Sequence, residues 1–443
     1  MPHFANPLTF KEDPLIVKKA EGVYFWDSKG RKYLDGVAGV MVVNVGYGRR
    51  EIINAMKDQL DELAYNFLSY SVSETALQLS QALTQIMPGG MKEIFFTTGG
   101  SEATDTSLKI ARLYHTLNGE GERYRFVSRW ISYHGATIGG LSCSGHAPRR
   151  RHFEPLLLNF PHASPAYCYR CPFGKTPDVC GVECASSIEQ LIRNEGPESI
   201  SAFIAEPIVG STGGALVPPD EYFKIVREIC DKYGILLVVD EVLTGFGRTG
   251  AMFASDHWGV KPDIILFAKG VSSGYAPIGG VALGPAIAEK FESGKGVEFA
   301  HGFTFGGSPV ACVASLKNLE ILSREKLSEK SLKSGEYLKK KLMELDRKII
   351  GDVRGRGLLV GVELVRDRAS KEIFRDDESV GAEISKQALK RGVKIFGLKG
   401  HDSGMISDFL VISPPLIIEE EQLDTIVSVI DQCLDQAEQK YIS

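Results

Sequence analysis

"ILLVVDEVLTGFGRTG", residues 235–250, decides how the rest of the chain is read. Its first five residues are apolar without alternation, the pattern of a strand covered on both faces by helices. Two carboxylates, Asp240 and Glu241, follow at once, and then a loop carrying Gly245, Gly247 and Gly250. Burying a carboxylate costs several kcal/mol unless something offsets it, so the sequence must contain a partner.

Similar runs recur on either side of this one. "EIFFTT", "RFVS", "SAFIAE", "DIILFAK" and "GVALG" lie between about residues 93 and 285, alternating with helical patterns. Such alternation predicts an α/β core with a mostly parallel sheet. "SEATDTSLKIARLYHTL" opens with Ser101 and Glu102, suited to a first helical turn, and sets Ala103, Leu108, Ala111 and Leu113 among polar neighbours. Leu319 to Leu345 reads as one long surface helix leading into a second domain. "RGRGLLVGVELV" and "FLVISPPL" read as strands, and an amphipathic helix carrying Leu423, Ile426, Val427, Ile430 and Leu434 closes the chain. Near the other end "GVYFWDSKGRKYLDG" reads as a hairpin that packs with the carboxyl-terminal part. A chain of 443 residues exceeds one typical core. The expected division is a large domain, 66–330, and a smaller α+β domain built from both termini, 1–65 and 331–443.

With 51 Lys+Arg against 56 Asp+Glu the net charge is −5, and no basic cluster offers a nucleic-acid surface. No apolar stretch approaches the roughly 20 residues that span a bilayer, and "MPHFANPLTFKEDP" lacks the parts of a secretory signal. A cytoplasmic protein with neither nucleic acid nor membrane as partner is expected. Of eight cysteines, Cys143, Cys230, Cys312 and Cys433 read as ordinary buried thiols. Cys168, Cys171, Cys180 and Cys184, within the excursion 168–184, have a Cys-x2-Cys-x8-Cys-x3-Cys spacing close to that of a structural zinc loop. Reduced thiols are the other reading, and a cytoplasmic setting disfavours disulfides.

The chemistry rests on a second stretch, "PDIILFAKGVSSGYAPIGGV", residues 262–281. Lys269 follows an apolar strand directly, so its ammonium is desolvated there, which lowers its pKa and favours the nucleophilic amine. A surface lysine at a strand end is the ordinary alternative. Ligands of parallel sheets bind outside the carboxyl ends of the strands, so Asp240 and Lys269 should face one crevice. A carboxylate for a pyridinium nitrogen and a lysine for an aldehyde are the pattern by which pyridoxal phosphate is held. "FFTTGGSEATD" supplies the third element, with Gly100 and Ser101 opening a helix whose amino terminus attracts a phosphate.

In this combination and order, "TTGGSEA", "YHG", "EPIVG", "VDEVLTGFGRTG", "AKGVSSGY" and "GFTFGGSP" make the chain resemble a class III, ω-type aminotransferase of the pyridoxal-phosphate fold type I superfamily. The resemblance runs from "GVYFWDSKGRKYLDGVAG" to "SPPLIIEEEQLD"; "DGVAGVMVVNVGYGR" and "RWISYHGATIGG" are similar to the amine/ω-amino acid:pyruvate subgroup. It implies a seven-stranded, mostly parallel sheet flanked by helices, and ping-pong transfer of an amino group from an ω-amino acid or primary amine to a keto acid, pyruvate first. By position it implies that Lys269 is the catalytic lysine and that Asp240 serves the ring nitrogen. Tyr133 and Val242 would sit on opposite ring faces, His134 would shape the turn, and Glu206 would lie near the phenolic oxygen. Thr304 would reach the phosphate of a neighbouring subunit, in a homodimer with shared sites or a tetramer of such dimers. Met41, Phe67 and Tyr133 would line the substrate pocket.

The chain departs from that pattern twice. "HDSGMISDFLVISPPL" lacks the carboxylate-binding arginine that many members carry there, leaving Arg49, Arg391 or uncharged contacts for that task. Met41 stands where the subgroup usually has tryptophan, which should widen the pocket. A 4-aminobutyrate-type enzyme using 2-oxoglutarate and an aminomutase or racemase share the same cofactor chemistry, and a non-catalytic cofactor-binding scaffold is the reading from another class.

Overall fold

The computed structural model describes residues 14–293, 298–375, 377–399 and 407–442. Its central sheet has seven strands, in the order Glu93–Thr97, Gly279–Leu283, Ile264–Phe267, Leu236–Asp240, Ile200–Ala205, Arg125–Arg129 and His162–Ala163. Gly279–Leu283 alone runs antiparallel to its neighbours, pairing with Ile264–Phe267 on one side and Glu93–Thr97 on the other. Every residue of Ile200–Ala205, Leu236–Asp240 and Ile264–Phe267 is buried, the physical counterpart of their unbroken apolar runs.

Helices cover both faces. Gly100–Leu117 packs against one, with Ala103, Ile110 and Ala111 joining the strand residues Ile204, Val238 and Leu266 in a single apolar cluster. Glu183–Glu195 and Tyr222–Tyr233 cover the other, where Ile188, Phe223 and Val226 meet Phe203, Leu237 and Val239.

Both chain ends feed one four-stranded sheet. Val17–Glu21, Tyr24–Asp27 and Lys32–Asp35 form an antiparallel meander, its second turn the expected hairpin, and Val393–Lys394 adds in parallel beside Lys32–Asp35. A further sheet, in the order Ile350–Gly355, Val360–Leu364, Phe409–Ile412 and Phe396–Leu398, is antiparallel throughout. The helix Glu420–Tyr441 buries Leu423, Ile426, Val427, Ile430 and Leu434, the stripe read from the sequence.

The long helix expected over 319–345 is two helices, Pro309–Arg324 and Leu327–Met343. Lys326 between them takes a left-handed backbone, φ 50°, which ends the first helix and turns Leu327 into the core. The second helix lies against the glycine-rich loop that follows Asp240. Gly247 there has φ 88°, and a Cβ on it would come to 3.0 Å from the Ser328 hydroxyl.

Arg248, in the same loop, is fully buried. It donates to the carbonyls of Leu358 (3.0 Å) and Pro414 (2.6 Å) and to Asn44 Oδ1 (2.7 Å). Burial brings its pKa down to about 9. Among the described residues no helix is long and apolar enough to cross a membrane.

Candidate active site

Strand register sets the two principal side chains. Asp240 ends its strand opposite Leu266, and Lys269 follows just beyond on the neighbouring strand. Lys269 has a left-handed φ of 45°, a costly conformation for a residue with a Cβ. Asn318 Nδ2 holds the turn by donating to the carbonyls of Gly270 (2.8 Å) and Val271 (2.9 Å). The Lys269 side chain is half-buried against the cavity walls. Desolvation pushes its ammonium below the usual lysine range; Asp240 and Glu206 oppose the shift, and the positive charges of Arg149 and Arg248 reinforce it.

Asp240 is only 4% exposed, and its partner within the chain is His134. His134 Nδ1 lies 2.7 Å from Asp240 Oδ2, while Asp240 Oδ1 accepts from the Val242 amide at 3.0 Å. Sequence reasoning placed His134 among the cofactor-binding residues as a turn-shaping group; its contact with Asp240 spans 106 residues and has no local signal. Glu241 points elsewhere. It accepts from the amide (2.7 Å) and hydroxyl (2.8 Å) of Ser255 and from the Thr244 hydroxyl (2.5 Å), which fixes the loop beyond it.

Opposite these strand ends the helix Gly100–Leu117 begins, with no side chain of its N-cap residue Gly99 closing the first turn. A Cβ on Gly100 would come within 2.8 Å of Val242, so only glycine lets the helix end approach so closely. Ser101 Oγ accepts from the Ala136 amide at 3.0 Å, and the Thr104 hydroxyl donates to the His134 carbonyl at 2.6 Å, tying the helix to the Tyr133–Gly135 turn. Glu206 accepts from the amides of Tyr133 (3.0 Å) and Gly210 (3.2 Å); burial raises its pKa.

Together these groups enclose a cavity of about 380 Å³, walled by Gly100, Ser101, Tyr133, His134, Glu206, Asp240, Val242 and Lys269. The donor set suits pyridoxal phosphate: free first-turn amides at a helix amino terminus for a dianion, a buried carboxylate for a ring nitrogen, and a desolvated amine for an aldehyde.

The other residues expected at the site occupy varied positions on this chain. Met41 is 1% exposed, held in a cluster with Ile131, Tyr167 and Phe409; its left-handed φ of 58° turns it inward, and Val42 lines the cavity instead. Phe67 lies outside this cavity, edge-on to Tyr70 with centroids 5.5 Å apart. Thr304 is exposed on this chain, its carbonyl accepting from the Tyr65 hydroxyl at 3.1 Å. Arg49 is engaged by both oxygens of Glu325 (2.8 and 2.6 Å), and Arg391 by Gln387 and Gln436. The arginine-free stretch before "PPL" lies partly, over residues 401–406, outside the described residues.

The zinc reading finds no support. Among the described residues no group of three or more His, Cys, Asp or Glu side chains is arranged to hold a metal ion, and Cys168, Cys171, Cys180 and Cys184 are free thiols. Cys168 is exposed, Cys180 donates to the Glu183 carboxylate at 3.0 Å, and Cys184 is drawn into the core, where burial pushes its thiol up to about 12. The excursion is anchored instead by the fully buried Glu363, which accepts from the Tyr167 hydroxyl and from Arg170 (2.5 Å) and Arg354 (2.6 Å).

The model of the aminotransferase class-III family matches residues 9–434. The putrescine–pyruvate aminotransferase of Pseudomonas aeruginosa is 40% identical over 424 residues, covering 95% of this chain and 90% of that protein. The taurine–pyruvate aminotransferase of Bilophila wadsworthia is 39% identical over 435 residues, covering 97% and 94%. The crystal structure of an (S)-enantioselective ω-transaminase from Thermomicrobium roseum superposes with a TM-score of 0.93 at 38% identity, covering 99% of this chain and 96% of that one. The chain therefore belongs to the class-III aminotransferases and is an aminotransferase dependent on pyridoxal phosphate.

Proposed function

We propose that the protein moves an amino group from a primary amine or ω-amino acid to a keto acid, with pyruvate as acceptor, in two half-reactions at one site. The observation that carries this reading is Lys269 facing Asp240 and Glu206 across a single cavity in a chain whose relatives include putrescine–pyruvate and taurine–pyruvate aminotransferases.

When bound, pyridoxal phosphate supplies an electron sink for the negative charge that develops at the amine-bearing carbon. Amides of Gly100 and Ser101 would hold its phosphate, Asp240 its ring nitrogen and Glu206 its phenolic side, with Tyr133 and Val242 on the two ring faces. Asp240 is held in place by His134 at 2.7 Å, so it meets the ring without reorganising. Lys269 Nζ would take the proton from the amine-bearing carbon of the donor and, in the second half-reaction, deliver one to the former carbonyl carbon of the acceptor; its lowered pKa favours the neutral amine that can accept a proton. Thr304 would complete the phosphate site of a second copy, which makes the working unit a homodimer.

A donor panel tests the reading. Putrescine, taurine and 4-aminobutyrate, each with pyruvate and with 2-oxoglutarate, should give alanine faster than glutamate when products are quantified. Glutamate as the main product with every donor would reject pyruvate as acceptor, and no transfer from any donor would reject the reading altogether.

A further inference from the structure

A keto acid brings a carboxylate into the cavity, and the cations around it differ in what already holds them. Arg248 is bound to two carbonyls and Asn44, Arg129 donates to the Glu206 carbonyl, and Arg150 is engaged by Glu154 and three carbonyls. Arg354 is paired with Glu363 and Asp352, Arg49 with Glu325.

Arg149 is the exception. It lies in the short helix Ala147–Arg150, beyond the helix Ile138–Cys143 that follows the Tyr133 turn, and its guanidinium lies over the Tyr133 ring, 4.3 Å from the centroid. The side chain is half-buried, and among the described residues it meets no carboxylate. Tyr133 is itself a wall of the cavity, and the Arg149 charge is felt at Lys269. A guanidinium resting on a tyrosine face is held more weakly than one bonded by both arms to a carboxylate.

We propose that Arg149 binds the carboxylate of the keto-acid acceptor, exchanging its contact with Tyr133 for paired hydrogen bonds to the two carboxylate oxygens. It thereby does the work of the arginine missing before "PPL". An amine without a carboxylate leaves Arg149 on Tyr133, so one cavity serves both half-reactions. The proposal rests on the transaminase reading above.

The test compares two acceptors of equal carbon number, pyruvate and propanal, with one amine donor, in wild type, Arg149→Gln and Arg149→Lys. The ratio of kcat/KM for pyruvate to that for propanal should fall about 30-fold in Arg149→Gln, the range for losing a hydrogen bond to a charged group. Arg149→Lys should recover part of it, since it keeps the charge without the fork. Propionate, which cannot react, should bind the wild-type holoenzyme and bind Arg149→Gln more weakly by calorimetry. A ratio that stays within about threefold of wild type, with both acceptors losing equally, would overturn the proposal and leave Arg149 a support for Tyr133. Wild type that transfers to neither acceptor would remove the transaminase reading; propionate bound equally by wild type and Arg149→Gln would remove the Arg149 assignment alone.

Discussion

The carboxyl end of the central sheet and the cysteine-bearing excursion 168–184 both concentrate reactive side chains, and they end in opposite states. At the sheet, Asp240 and Lys269 leave fully bonded strands in fixed register and converge on one cavity. In the excursion, irregular backbone sends one thiol to solvent, one to Glu183 and one into the core. Residue types at a suggestive spacing become a site only where the backbone fixes their directions.

The sharpest way to break this contrast is at Lys269. Lys269→Ala should lower kcat by at least ~10³-fold, because it removes both the nucleophile and the proton carrier. Circular dichroism should be unchanged, and Cys168→Ser with Cys171→Ser should leave turnover near wild type. If the serine variant lost more activity than the alanine variant, the roles assigned to the two regions would be reversed.

Glu241 sharpens the contrast within the sheet edge, since it adjoins Asp240 in sequence yet serves the loop. Burial raises its pKa above the ordinary value of 4.5, so the folded chain holds that proton more tightly than the unfolded chain. The stability this contributes is complete below pH 4.5 and is lost as pH rises through the raised value. Glu241→Gln should remove that dependence, so Tm of wild type minus Tm of the variant should decline as pH rises from 4.5 towards 8. Parallel melting profiles would show that Glu241 is not the titrating group.

The smallest effect is expected from chelation. EDTA followed by desalting should shift Tm by less than about 2 °C, whereas a structural zinc site would contribute many times the stability that such a shift represents. A larger shift, with stoichiometric zinc released, would restore the thiols as a metal centre.

What the sequence made legible follows from how local each signal was. Asp240 and Lys269 each end an apolar run, and the crevice they share follows from parallel topology alone. Gly100 and Ser101 could be read from a strand-to-helix junction, and the closing helix from its period. The His134–Asp240 contact, the Asn318 bonds under the Lys269 turn and the Arg149–Tyr133 stack join segments far apart in the chain or depend on rotamer, so no spacing announces them. Two misreadings share another cause. At Lys326 and Met41 a non-glycine residue adopts a left-handed backbone that propensity argues against, splitting one expected helix and turning one expected wall residue inward.

Arg248 carries a further implication. Its donors reach oxygens from three distant stretches, at Asn44, Leu358 and Pro414, none of them anionic. Prising those stretches away would strand an uncompensated cation and three dry acceptors at once, so breathing of the molecule along that seam is strongly opposed. Any adjustment of this cavity to its occupant would then come from small rotations of wall side chains such as Val42, Leu243 and Ile278, not from a gaping scaffold.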